Sequence, residues 1–171
     1  MKRLILLRHA KSSWEDEALA DFDRPLNKRG ERDAPLMGLR LKARRERPSL
    51  ILTSPAKRTR RTALLIARAL EYPPEFLQPE RALYLADAQE ITAIIKAQPP
   101  QFSTLLVVGH NPGLTEFANR LLPSLALDNL PTAGVVAVDL PLERWDQLDA
   151  VPGTLAYYDY PKNPELLVIE D

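Results

Sequence analysis

Cysteine is absent from this sequence. That excludes a disulfide scaffold, a cysteine-ligated zinc site and thiol catalysis. Histidine is nearly as scarce, with two in 171 residues, His9 and His110. Neither sign of charge is in excess, since 23 Lys and Arg balance 23 Asp and Glu. Nucleic acids and anionic membranes favour a net basic surface, so neither is expected as the main partner, and any functional positive charge must be local. Long apolar runs are missing as well. The run Leu4 to Leu7 is ended by Arg8 and is too short for a signal-peptide core. No stretch reaches the roughly 18 apolar residues of a membrane span. The expectation is a soluble, cytoplasmic protein that is not secreted. The sequence also contains no G-x-x-x-x-G-K-[ST], no G-x-G-x-x-G, no H-E-x-x-H and no G-x-S-x-G. P-loop hydrolysis, a Rossmann dinucleotide site, zincin chemistry and a nucleophile elbow are set aside accordingly.

What is present suits a single globular domain over residues 1–171, with 45% hydrophobic and 27% charged residues. There is no internal repeat and no low-complexity linker. Leu4–Leu7, Leu50–Leu52 and Leu105–Val108 are short continuous apolar runs, the pattern of strands buried on both faces. Each precedes a candidate helix. Helices are expected over about 27–45, 55–70, 87–97 and 112–122, with Asp87 as an N-cap and Pro73-Pro74 as a stop. A later strand is expected at Val135–Leu140, and the segment from about Tyr157 reads as a tail packed on the body. Alternating strands and helices predict a three-layer α/β/α sandwich with a mostly parallel central sheet.

The chemistry concentrates at two strand ends. His9 follows LILLR and His110 follows LLVVG. In open parallel sheets ligands bind at that edge. One such histidine could be an ordinary loop residue; two at equivalent positions point to one site. Arg8 adjoins His9. Arg58 falls in the first turn of a helix for which Ser54 reads as N-cap and Pro55 as first helical position, beside the positive end of the helix dipole. Asn111-Pro112 repeats that arrangement after His110. A helix start with an arginine beside it suits an anion. Arg24, on the loop after His9, reads either as surface charge or as a further ligand, whereas Arg60 and Arg61 read as surface charge. Flanking arginines repel a cation and no Asp or Glu adjoins either histidine, so no metal is expected.

These motifs resemble, in order, those of the histidine phosphatase (phosphoglycerate mutase-like) superfamily. Leu7-Arg8-His9-Ala10 resembles its Arg-His-Gly motif, with alanine in place of the usual glycine. Ser54 to Thr62 is similar to its arginine-bearing motif, and Val108-Gly109-His110-Asn111-Pro112 to its second-histidine motif. Arg24-Pro25-Leu26 followed by Gly30 resembles a loop of SixA-type phosphohistidine phosphatases. The resemblance implies His9 as nucleophile, with Arg8, Arg58 and His110 holding the phosphoryl oxygens, and no cofactor. Arg24, Asn111 and Ser54 are expected to bind substrate. Many members carry an acidic general acid between the second and third motifs; here Glu80 and Asp87 are the candidates. The substrate is expected to be a phosphorylated protein carrying phosphohistidine, or else a small phosphorylated molecule. A phosphatase or mutase for small esters, and a non-catalytic phosphate-binding module, remain alternatives.

Overall fold

The computed structural model describes residues 1–164. Its centre is a six-stranded sheet built from β1 (Lys2–Arg8), β2 (Leu50–Thr53), β3 (Gln78–Pro79), β4 (Thr104–Gly109), β5 (Val135–Leu140) and β6 (Thr154–Asp159). The order across the sheet is β3-β2-β4-β1-β5-β6. The first four in that order run parallel, and β5 and β6 are antiparallel to their neighbours. Helices α1 (Lys28–Ala43), α2 (Lys57–Ala69), α3 (Ala88–Lys96) and α4 (Gly113–Leu121) cover both faces.

Strand periodicity explains the layering. In β1, Leu4 and Leu6 point to the face that also holds Ile91 and Ile95 of α3 and Leu114 and Phe117 of α4. Ile5 and Leu7 point to the face of Met37 and Leu41 of α1 and Ala63 and Ile66 of α2. All four β1 side chains are fully buried. A central strand with helices on both sides has no polar face, hence the unbroken apolar run. Burial of each such side chain contributes about 2 kcal/mol. The three-layer α/β/α sandwich with a mostly parallel sheet is the observed architecture.

Two ends depart from the sequence expectation. The segment from Tyr157 does not run as a tail throughout, because Thr154–Asp159 pairs with β5 as the edge strand β6. Beyond it, buried Arg40 donates to Asp159 Oδ1 at 3.2 Å and to the Tyr160 carbonyl at 2.8 Å, fastening the strand's end to α1. The rest of that segment, 165–171, lies outside the described residues. The start of α2 also differs. It begins at Lys57 with Ala56 as N-cap, so Ser54 does not cap it and Pro55 precedes it. The third and fourth helices fall within a residue of their expected bounds, and Asp87 caps α3 through a full capping box with Glu90.

Close approaches fix the loops around the strand ends. A Cβ on Gly30, in the first turn of α1, would stand 2.2 Å from the Lys11 carbonyl oxygen. Only glycine lets α1 press against the chain that leaves β1. Gly113 plays the same part for the loop at Ala86, whose carbonyl oxygen would be 1.8 Å from an added Cβ.

Candidate active site

The parallel register of β1 and β4 pairs Arg8 with Gly109, so the next residues, His9 and His110, emerge side by side. The His9 amide donates to the Gly109 carbonyl at 3.1 Å, continuing the ladder. The two rings lie 5.4 Å apart, centre to centre. Next in the sheet, Ser54 leaves β2 with its amide on the Val108 carbonyl at 3.0 Å. The first turn of α2 then delivers Arg58. Arg8, His9, Arg24, Arg58, His110 and Asn111 all line one pocket of about 260 Å³ at this edge.

The ring of His9 is held in one tautomer. Its Nδ1–H donates to the Ala10 carbonyl at 2.7 Å, which leaves the lone pair on Nε2. Ala10 is itself fixed, because its amide donates to Thr62 Oγ1 at 3.0 Å and Thr62 Oγ1–H donates to the Arg58 carbonyl at 2.7 Å. Burial lowers the His9 pKa to about 4; Arg58, Arg8 and Arg24 add to the lowering and the Ala10 carbonyl opposes it. His9 is therefore neutral at pH 7.

His110 is neutral for similar reasons, with burial, His9 and Arg58 lowering its pKa to about 3. Arg58 Nη2 lies 3.4 Å from its Nδ1, and Ser54 Oγ lies 2.7 Å from its Nε2. A guanidinium only donates, so Nδ1 is the acceptor and Nε2–H donates to Ser54. Ser54 Oγ thus holds the second histidine, and it also accepts from the Ala56 amide at 3.3 Å just before α2.

The arginines differ in how fully they are satisfied. Arg8 donates from Nη1 to the Leu130 carbonyl at 3.0 Å, but its Nε is buried without a hydrogen-bond partner. Arg58 Nε is buried and unpartnered too. Leaving such donors unpaired costs about 1–3 kcal/mol each; the positive charge that the two guanidiniums place at the pocket is what suits an anion. Burial, with repulsion from Arg58, lowers the Arg8 pKa. Arg24 is buried against the Trp14 ring at 3.5 Å and donates to Ser12 Oγ at 2.6 Å. Arg60 and Arg61 lie on the outer side of α2, where Arg61 pairs with Glu31 at 3.0 Å.

Asn111 lines the pocket, yet its amide protons are spent on Asn129 Oδ1 and the Leu130 carbonyl, both at 2.9 Å. The structure does not bring Glu80 or Asp87 to the histidines. Glu80 accepts from the Ala82 amide at 3.3 Å as the cap of a short 3-10 turn, and Asp87 accepts from the Glu90 amide at 2.8 Å. Both side chains are committed to local backbone.

Lys11, Ser12, Trp14, Asp21, Leu85 and Thr132 also line the pocket and escape sequence reasoning, Asp21 most consequentially. Asp21 sits in a 3-10 turn, Asp21–Asp23, on the loop between β1 and α1. Its carboxylate accepts from Arg58 Nη2 at 3.0 Å, from Arg24 Nη2 at 3.1 Å and from the Tyr84 hydroxyl. Partial burial raises its pKa, but the Tyr84 and Arg58 hydrogen bonds outweigh this and bring it down to about 2. The acidic residue preceding Arg24 by three positions was the only available signal, and Asp16 and Glu17 nearby are equally acidic. Among the described residues, no group of three or more His, Cys, Asp or Glu is placed to hold a metal ion. No helix there is long and apolar enough to cross a membrane.

The chain is 36% identical over 160 residues to an uncharacterised chloroplastic protein of Arabidopsis thaliana, covering 89% of this chain and 72% of that one. A shorter match, 44% over 73 residues, is to phosphoserine phosphatase 1 of Hydrogenobacter thermophilus and covers 40% of this chain and 33% of that protein. Among solved structures, SixA from Agrobacterium tumefaciens is similar with a TM-score of 0.77 and 27% identity over 94% of this chain and 98% of that one. SixA from Nakamurella multipartitia gives a TM-score of 0.80 and 26% identity over 95% of this chain and 97% of its own. Residues 4–104 match the histidine phosphatase superfamily (branch 1), a stretch that holds His9, Arg24 and Arg58. This chain belongs to that superfamily.

Proposed function

We propose that the chain is a phosphatase that carries the phosphoryl group on His9, and that its substrate is phosphohistidine in a protein partner. The observation that carries this reading is His9 itself: buried, neutral and fixed by Ala10, with two unpartnered arginine donors close by. Nε2 of His9 attacks phosphorus and forms a nitrogen–phosphorus bond. The bond from phosphorus to the substrate's imidazole nitrogen breaks, and the electron pair leaves with that ring. When the other nitrogen of the substrate ring is protonated, the ring departs as neutral imidazole. Water then attacks phosphorus, the bond to His9 breaks, and phosphate leaves as H2PO4⁻ with His9 neutral again. The guanidinium groups of Arg8 and Arg58, which line the pocket, would hold the equatorial oxygens. Neutral His110 accepts from Arg58 Nη2 through Nδ1 and so steadies that guanidinium beside the phosphoryl group.

The leaving group separates the readings. An alkoxide needs a proton as it leaves, and a protein acid must supply it. Asp21 is the one carboxyl lining the pocket among the described residues, and it is ionised. An imidazole whose other nitrogen already carries a proton makes no such demand. The match to a phosphoserine phosphatase over 73 residues favours the second reading, a phosphatase for small esters.

The test is rapid quenching after brief mixing with labelled phosphohistidine peptide in excess EDTA. The expected product is labelled protein, with label that survives alkali, is lost in acid and is absent from His9→Ala. Turnover by that variant should fall at least about a thousandfold, roughly 4 kcal/mol. Faster turnover of alkyl phosphates than of phosphohistidine peptides would replace this reading with the small-ester one.

A further inference from the structure

Beside the phosphate pocket lies a second, larger cleft of about 560 Å³, lined by Phe22, Pro55, Pro79, Arg81 and Tyr84. Consecutive residues divide between the two spaces. Asp21 lines the first and Phe22 the second; Leu85 lines the first and Tyr84 the second. Tyr84 forms the shared wall, with its hydroxyl on the Asp21 carboxylate and its ring edge-on to His110 at 5.4 Å. Phe22 meets Tyr84 edge-to-face at 5.1 Å, so the cleft has an aromatic side.

Large apolar side chains are exposed around these spaces. Phe22 is 37% exposed, Leu85 55% and Trp14 70%, and all three stand at the rims of these adjoining spaces. Leu85 holds a left-handed backbone, φ 52°, which costs a residue with a branched side chain energy that the surrounding structure must sustain. That turn carries Tyr84 into one space and Leu85 into the other. Arg81, which also lines the cleft, has no ion pair or side-chain hydrogen bond among the described residues. An apolar groove with aromatic walls and one unpaired cation, continuous with a reaction centre, has the composition of a peptide subsite.

We infer that this cleft binds the polypeptide flanking the phosphorylated residue, taking an aromatic or aliphatic side chain against Phe22 and Tyr84 and a carboxylate against Arg81. The inference rests on the reading of His9 as the nucleophile of a phosphoprotein phosphatase. It names the sequence context that such a substrate carries.

The experiment compares two phosphohistidine peptides of equal length. One has phenylalanine and aspartate beside the phosphohistidine, and the other has serine and lysine. Phosphoramidate, which has no flanking chain, is assayed alongside with the wild-type protein. The expected result is a kcat/KM ratio of about tenfold or more for the first peptide, the size of one charge-assisted contact with some apolar burial. In Arg81→Glu, a surface change, the first peptide should lose most of its advantage over the second. In Phe22→Ser the advantage of phenylalanine over serine should shrink. Equal kcat/KM for both peptides, or an undiminished advantage in Arg81→Glu, would overturn the inference while phosphoramidate turnover shows the nucleophile intact. If phosphoramidate and both peptides are inert, the phosphatase reading fails and the cleft loses its leaving group with it.

Discussion

Asp21 grips Arg58 at two atoms. Its backbone carbonyl accepts from Nη1 at 2.6 Å and its carboxylate from Nη2 at 3.0 Å. The guanidinium is thus aimed by an internal anion that also opposes any second anion in the pocket. Asp21→Asn removes the opposing charge and weakens the grip. Inorganic phosphate should inhibit the variant at about fivefold lower concentration, near 1 kcal/mol, while kcat falls about tenfold. Inhibition titrations and steady-state kinetics check this. Weaker phosphate binding by the variant would mean that Asp21 positions Arg58 without competing for the site.

Arg58→Lys keeps the charge and loses the fork. A lysine cannot satisfy Asp21 at two atoms and present a further donor where Nε now lies unpartnered. The expected loss in kcat/KM is about a hundredfold, or near 3 kcal/mol. Kinetics within about threefold of wild type would take Arg58 out of contact with the phosphoryl group.

The histidines set the pH behaviour. Both are lowered by burial, to about 4 for His9 and about 3 for His110. In the unfolded chain they titrate near 6.5. As pH falls below about 6.5 the unfolded state takes up protons that the native state refuses, so stability present at neutral pH is lost toward about 4. Urea-derived stabilities should show a loss of about 4 kcal/mol between pH 7 and pH 5, about 2 for each histidine. Turnover should hold over that interval, since His9 stays deprotonated. An activity that halves near pH 6.5 would place the His9 pKa at its ordinary value.

Thr62 supports His9 at one remove, through Ala10. Thr62→Val leaves a buried amide without an acceptor, a cost of about 2 kcal/mol, and lets the carbonyl that fixes the His9 tautomer shift. The expected signature is a fall in kcat with little change in KM, and recovery of most of it in Thr62→Ser. Equal stability loss without the kcat effect would make Thr62 structural only.

The sequence was most legible where burial is complete. Leu4–Leu7 and Leu105–Val108 announce themselves because a strand covered on both faces can carry nothing but apolar residues. The two histidines follow from those strands by counting. Ser54 and Asp21 were misread or missed for one reason: their side chains serve partners 56 and 37 residues away, in His110 and Arg58. Ser54 sits where a helix cap would sit, and local preference pointed there; the tertiary partner prevailed. The edge strand Thr154–Asp159 was hidden because its burial is partial, with Thr154 and Leu155 exposed, and because Pro161 follows closely. Glu80 and Asp87 had the right chemistry in the right interval, but an acidic residue at the start of a helical turn is also what a cap requires.

The two unpartnered arginine Nε–H groups also bear on heat resistance. Burying them without acceptors leaves the native state less stable than its packing alone would make it. An anion that binds between the two guanidiniums stabilises only the folded form, by RT ln(1 + [L]/Kd), about 2.7 kcal/mol at a hundred times Kd. The melting temperature of this protein is therefore a property of its buffer. In phosphate it should melt several degrees higher than in chloride of equal ionic strength, and the increment reports how tightly the folded pocket holds the anion.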